Sequence, residues 1–195
     1  GYEIAVTPLQ LARAYCALAR TGQLAGTMPS IKLLATDPQL ANADAMVRAL
    51  PQDLASRTRT ILRQVAAKVE EKMAKAAEPE AGWHYQMWGK SGTANIALGA
   101  PPEGKKRPRG IKGYFERQYN SSFVAGAPLD QPRLIVVVVI DDPGPESIAA
   151  RQHYGSWVAG PVARRVLERS LTYLGVEPDA PIDTEVESGT ATASR

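Results

Sequence analysis

The sequence predicts an α+β domain in which three antiparallel strands are flanked by helices. Three observations carry that reading. Helical periodicities with start and stop signals stand toward both ends of the chain, and strand-like runs follow one another over 83–98, 119–128 and 133–141. The last two runs are joined by the tight turn Pro128-Leu-Asp-Gln-Pro132, which makes them antiparallel neighbours. Of 195 residues, 44% are hydrophobic and 22% charged, as expected of one globular domain with a tail. No run nears the ~18 consecutive apolar residues of a membrane helix.

The first helix starts at Thr7-Pro-Leu-Gln10, where Thr7 caps, Pro8 fits the first helical position and Gln10 completes a capping box. Leu11, Tyr15 and Leu18 recur on one face, and Gly22 is placed as the residue that closes the helix. An irregular connection follows over 23–52, with a short helix expected from Asp44 to Leu50. A long amphipathic helix is expected from Asp53 or Ser56 to Ala77. Its inner stripe is read as Leu54, Ile61, Val65, Val69 and Met73, with Glu71 and Lys75 paired on the outer face.

Between the first two strands lies Pro101 to Lys112, where Lys105, Lys106, Arg107, Arg109 and Lys112 face only Glu103. Its prolines and glycines forbid a regular element, so it is expected to be a mobile basic loop at the rim of a site. No nucleic-acid reading motif accompanies it, and no nucleic acid is expected as a partner. The run Leu134 to Ile140 is continuously apolar and should be covered on both faces near the centre of a sheet. The closing helix runs from Ser156 to Leu174, with an inner stripe of Val158, Val162, Val166, Ser170 and Leu174. Pro161 bends it or marks its true first turn. Residues 1–175 form the domain, and 176–195 are expected to be a disordered acidic tail.

The net charge of +3 conceals an asymmetry, because 176–195 carry −4 and the rest +7. That positive body suits an anionic surface or substrate, although a solvated surface gives the same count. A single cysteine, Cys16, excludes an intrachain disulfide. With only His84 and His153 beside it, no metal site and no cofactor are expected. The chain begins with Gly1 in what reads as the interior of a larger unit, so a fragment or processed piece is expected.

The stretch that carries chemistry is Gly89-Lys90-Ser91-Gly92-Thr93-Ala94. Strand alternation puts Lys90 and Gly92 on one face and Ser91 and Thr93 on the other. Gly92 leaves room for a ligand or another backbone to come close. One cation, two hydroxyls and a bare strand edge can hold a carboxylate and pair with a peptide. A surface turn of small polar residues would show the same composition.

These residues, with Val6-Thr-Pro-Leu-Gln-Leu-Ala12, Asn120-Ser-Ser-Phe-Val-Ala-Gly-Ala-Pro128 and Val158-Ala-Gly-Pro-Val162, give the chain its resemblance to a known family. Residues 1–175 resemble the C-terminal part of the transpeptidase domain of class B penicillin-binding proteins. The fold implied is the penicillin-binding and serine β-lactamase-like transpeptidase fold, here incomplete. Family members use Ser-x-x-Lys, Ser-x-Asn and Lys-[Ser/Thr]-Gly around one cleft. The resemblance implies that Lys90, Ser91, Gly92 and Thr93 bind the terminal carboxylate of a D-Ala-D-Ala peptide, and that the Thr93 backbone N–H is part of the oxyanion hole.

No serine of this chain has lysine three residues on, and no Ser-x-Asn occurs. The nucleophile and base are therefore expected upstream, in the N-terminal half of the same domain, and the chain alone is expected to be inactive. Implied partners are a peptidoglycan stem peptide or lipid-linked precursor, β-lactams, that N-terminal half, and a glycosyltransferase. The implied location is the periplasmic face of the cytoplasmic membrane, with an anchor upstream. Other readings on the same fold are a serine β-lactamase, a D,D-carboxypeptidase, a class A synthase, and a non-catalytic sensor that binds β-lactams or wall fragments. The Thr7-to-Ala12 block favours a penicillin-binding protein over a β-lactamase.

Overall fold

A computed structural model describes residues 4–29, 46–106, 110 and 113–180. Helix α1 (Pro8–Ala19) begins as its sequence dictates. Gln10 N–H donates to Thr7 Oγ1 at 3.2 Å, and Thr7 N–H donates to Gln10 Oε1 at 2.8 Å. Its end differs from expectation. The chain leaves α1 in extended form at Arg20, and Gly22 at φ +58° opens a short 3-10 turn instead of closing the helix. A tertiary bond sets this exit, because Gly26 N–H returns to Ala17 O at 2.9 Å. Only glycine fits there: a Cβ on Gly26 would lie 2.1 Å from Leu50 O.

Two short strands, β1 (Thr27–Met28) and β2 (Val47–Arg48), then pair antiparallel. The helix expected from Asp44 to Leu50 is not formed over its described part. Arg48 is instead held beside β1, donating to Ala25 O at 2.8 Å and Gln23 O at 2.9 Å. Residues 30–45 lie outside the described residues.

Helix α2 (Gln52–Ala74) forms where expected, and its Glu71–Lys75 pair is present. Its buried face keeps Val69 and Met73 of the expected stripe but not its first half. Ala55, Arg59, Ala66, Val69 and Met73 are buried, whereas Leu54 is exposed and Ile61 keeps 63% of its surface in solvent. Arg59 turns the helix this way. Its guanidinium donates to Leu129 O at 2.9 Å, Leu18 O at 2.5 Å and Asp130 O at 3.3 Å, tying α2 to α1 and to the turn at 128–132. An arginine buried on three carbonyls is invisible to a pattern of apolar residues.

The main sheet has the order β3-β4-β5, all antiparallel, with β3 at Trp88–Ala97, β4 at Tyr114–Ala127 and β5 at Leu134–Asp141. The expected first strand was longer. Residues 83–87 are not paired in the sheet but are fastened to residues 176–179. Gln86 N–H donates to Asp179 Oδ1 at 2.7 Å, and Tyr85 Oη–H to Val176 O at 2.7 Å. Residues 176–180 are thus part of the fold, and the acidic tail as expected from sequence reduces to 181–195, outside the described residues. Residues 107–109 and 111–112 of the basic loop lie outside them too. The loop's base is closed by Leu98 N–H donating to Gly113 O at 2.8 Å.

After β5 come α3 (Gly144–Ala149), α4 (Gly155–Val158) and α5 (Gly160–Tyr173). Pro161 sits in the first turn of α5, so the expected single helix is two. Its buried face is Gly160, Ala163, Arg164, Leu167 and Leu171, one position away from the expected stripe, with Val162, Val166 and Leu174 exposed. One position is a rotation of about 100°. Gly160 closes α5 onto α2, where its Cβ would meet the Val69 methyls at 3.0 and 3.1 Å. The core between these helices and the sheet joins Val69, Met73, Met87, Phe123, Ala125, Ala163, Leu167 and Leu171.

The expectation that β5 lies at the centre of a sheet is not met among the described residues. β5 is an edge, its residues are mostly half-buried, and Val139 is 44% exposed. Among the described residues no strand pairs with its outer side, so its backbone edge is open there, while Leu134, Val136, Val138 and Ile140 pack against the core.

Candidate substrate-binding strand

Strand β3 holds Lys90, Ser91, Gly92 and Thr93 at the other edge of the sheet, against β4. Close approach fixes the pairing at Gly89, where a Cβ would fall 2.4 Å from Val124 O. The register places Lys90 opposite Val124, Ser91 opposite Phe123, Gly92 opposite Ser122 and Thr93 opposite Ser121. Phe123 and Ser121 are wholly buried, Phe123 in the core under α5. Ser91 and Thr93 therefore lie toward the helix layer. Lys90 and Gly92 share the opposite face with Trp88, whose ring stacks on Tyr15 of α1 at 6.4 Å.

Lys90 is exposed, and its Nζ donates to Ser91 O at 2.8 Å. Among the described residues no carboxylate pairs with it, so its charge is uncompensated at the strand. Thr93 is exposed, and its Oγ1 accepts the Gly155 N–H at 3.1 Å. The space left by Gly92 is taken by Ser122, whose Oγ lies 2.6 Å from where a Cβ would stand. The outer edge of β3 has no strand partner among the described residues, which leaves backbone donors and acceptors for an extended ligand. The strand thus offers a free cation, hydroxyls on the other face, and an unpaired edge.

Sequence reasoning missed the residues that brace this strand. Ser121 donates its hydroxyl to His153 O, and Tyr119, His153 and Tyr154 stack at centroid distances of 4.5 and 4.2 Å. Nothing local marks them, because the partners lie 32 and 62 residues apart in sequence. Cys16 is half-buried in α1, and burial pushes its thiol up. Among the described residues no group of three or more His, Cys, Asp or Glu could hold a metal, and no helix is long and apolar enough to cross a membrane. A cavity of about 610 Å3 opens beside α2, lined by Arg20, Gln52, Asp53, Ser56, Arg59 and Asp130, and the β3 residues take no part in it.

The densest charged cluster lies in the α2–α5 interface. Arg164 is wholly buried, 3.4 Å from Glu70 Oε1, 3.2 Å from Glu168 Oε2 and 4.5 Å above the Trp83 ring. Arg63 pairs with Glu70 at 2.8 Å, and His84 Nδ1 lies 2.6 Å from Glu168. Burial pushes the Glu70 carboxyl up, against the pull of Arg164 and Arg63. Burial likewise lowers the Arg164 guanidinium, against Glu70 and Glu168. This network joins two helices around an interior charge and offers no open face to a substrate.

A family model described as the penicillin binding protein transpeptidase domain matches residues 1–168. The probable peptidoglycan D,D-transpeptidase PbpC of Pseudomonas aeruginosa is 31% identical over 179 residues, covering 92% of this chain and 26% of that protein. The probable peptidoglycan D,D-transpeptidase PenA of Neisseria flavescens is 31% identical over 182 residues, covering 93% of this chain and 38% of its own length. Among solved structures, the transpeptidase domain of Burkholderia pseudomallei penicillin-binding protein 3 matches with a TM-score of 0.62 and 29% identity, over 93% of this chain and 46% of that one. The chain thus spans about a quarter to two fifths of the length of these curated relatives.

Proposed function

Since the chain belongs to the penicillin-binding protein transpeptidase family, we propose that it is one wall of the cleft of a peptidoglycan D,D-transpeptidase. In this reading Lys90 supplies positive potential toward the terminal carboxylate of a D-Ala-D-Ala stem peptide. The hydroxyls of Ser91 and Thr93 donate to that carboxylate, Gly92 keeps the strand slim, and the open edge of β3 pairs with the peptide backbone. The Thr93 backbone N–H is half of the oxyanion hole. A serine outside this chain attacks the penultimate D-alanine carbonyl, the C–N bond breaks, terminal D-alanine leaves, and an acceptor amine takes the acyl group from the serine. β-Lactams acylate the same serine.

The observation that carries the reading is the uncompensated Lys90 on an edge strand that also bears the Thr93 hydroxyl. A cation ~4 Å from a carboxylate interacts by roughly 4 kcal/mol at an effective dielectric of 20, before desolvation is charged against it. One oxyanion donor typically lowers a barrier by ~3 kcal/mol. Strand and charge together account for binding and for stabilising the tetrahedral oxyanion, but not for nucleophilic attack.

The nucleophile, its base and the middle motif are proposed to lie in the N-terminal half of the same domain, which also covers the outer edge of β5. The proposed setting is the periplasmic face of the cytoplasmic membrane, anchored upstream, with lipid-linked precursor or stem peptide as substrate and a glycosyltransferase as neighbour. The test is Lys90→Ala in the complete parent. Acylation by benzylpenicillin should slow by ~10²-fold or more, as truncating one member of a desolvated charge pair does. A rate within about threefold of the unmutated protein would remove Lys90 from the site.

A further inference from the structure

The turn between α3 and α4 carries none of the chemistry read from the sequence, yet it is bonded once to Thr93 on β3 and once to Ser121, its neighbour on β4. Ser121, the cross-strand partner of Thr93, is wholly buried and donates to His153 O. Two residues on, Gly155 N–H donates to Thr93 Oγ1 at 3.1 Å. Gly155 is the first residue of α4, so its N–H has no partner within its own helix and is available for this bond. The stacked rings of Tyr119, His153 and Tyr154 hold the same turn against β4.

The approach is as close as backbone allows. A Cβ on Gly155 would stand 2.1 Å from Ser122 O and 2.5 Å from Gly92 O, so any other residue must push the turn off both strands. The glycine is required by space rather than by an unusual backbone angle. A threonine hydroxyl has one proton and two lone pairs. With one lone pair held by a fixed amide, χ1 of this β-branched side chain is set and its proton is left to donate elsewhere.

We propose that Gly155 is a positioning residue for the Thr93 hydroxyl, presenting its proton to the anionic group of the ligand. The inference rests on the reading of Thr93 as a carboxylate donor. It assigns to the 153–155 turn a part in recognising the carboxylate, distinct from a general role in folding.

The experiment uses the complete parent protein and two probes, benzylpenicillin and its methyl ester, which lacks the anion. Acylation rates are measured for the unmutated protein, Gly155→Ala, Thr93→Val and the double variant. Gly155→Ala should slow benzylpenicillin by about tenfold or more and the ester by less than about twofold, the size expected for one hydrogen bond to a charged group. The double variant should be within about twofold of Thr93→Val alone, because both changes remove one interaction. Equal losses with both probes, or additive losses in the double variant, would overturn the proposal and leave Gly155 a packing residue. Loss in Thr93→Val with none in Gly155→Ala overturns it while the reading of Thr93 stands. No loss in Thr93→Val overturns that reading itself. Should Gly155→Ala not fold, Ser121→Ala releases the other anchor and should show the same probe-selective loss, smaller in size; a loss equal for both probes would again overturn the proposal.

Discussion

The two sides of this molecule are built to different degrees of completion. Between α2, α5 and the sheet, Ala66, Val69, Phe123, Leu167 and Leu171 are wholly buried, and even an arginine is taken out of water. Just before α1 and on β5, comparable side chains stand open: Ile4 is 75% exposed, Val6 57% and Val139 44%. The closed side behaves as a domain core. The open side has the composition of a core without its cover. The contrast teaches that the packing which holds this chain together is concentrated on one face of the sheet, while the apolar surface left open lies elsewhere.

Breaking the closed side should have the largest effect on stability. Arg164→Ala takes the shared cation from the half-buried Glu70 and Glu168, leaving Glu70 only Arg63, and takes the partner from the Trp83 ring. Chemical denaturation of the complete domain should show a loss of about 3–5 kcal/mol. A loss under about 1 kcal/mol would mean the network is solvated and the closed side is not closed.

Leu167→Ala and Val139→Ala sharpen the comparison directly. Leu167→Ala should cost about 3 kcal/mol whether or not the upstream half is present, because its surroundings lie within this chain. Val139→Ala should cost under about 1 kcal/mol in this chain alone, and more once the upstream half covers β5. Equal costs for Val139→Ala in both settings would show that nothing docks on that edge.

Asp179→Ala tests the fastening of residues 176–180. Its carboxylate accepts from Gln86 N–H at 2.7 Å and from Leu129 N–H at 2.8 Å. About 2 kcal/mol should be lost, with faster amide exchange at Gln86 and Leu129. Unchanged exchange there would detach residues 176–180 from the closed side.

The smallest effect is a pH dependence. Burial holds the Glu70 carboxyl above the usual range, so the folded state binds its proton more tightly than the unfolded chain does. Glu70 therefore contributes stability below the unfolded carboxylate pKa and loses it as pH rises through the folded one. Glu70→Gln removes that dependence. Its stability relative to the unmutated protein should improve as pH rises from the unfolded carboxylate pKa through the raised folded one. The opposite slope would mean that Arg164 and Arg63 outweigh desolvation.

What was legible in the sequence was local or strictly alternating. The capping box of Thr7 and Gln10, the antiparallel β4–β5 pair and the opposite faces of Lys90 and Ser91 are all fixed by neighbours a few residues away. The helix faces depart from the apolar pattern, in part in α2 and throughout α5, where a buried arginine, Arg59 or Arg164, stands among the core residues, since apolar periodicity cannot count a cation. The clasp of Asp179 on residues 86 and 129, and of Gly155 on Thr93, joins segments far apart in sequence. Their residue types carry no signal until the fold brings them together. The apolar run of β5 was read for its burial, which this chain's own elements only half supply.

The central claim is that this chain carries one wall of a transpeptidase cleft while the acylated serine lies elsewhere in the parent. The direct measurement is covalent labelling by a fluorescent penicillin, read on a denaturing gel, for the 195-residue chain alone and co-expressed with the upstream half as a separate polypeptide. No label is expected on the chain alone, and in the co-expressed sample a label is expected on the upstream polypeptide that Lys90→Ala strongly reduces. A penicillin adduct on this chain itself would contradict the claim.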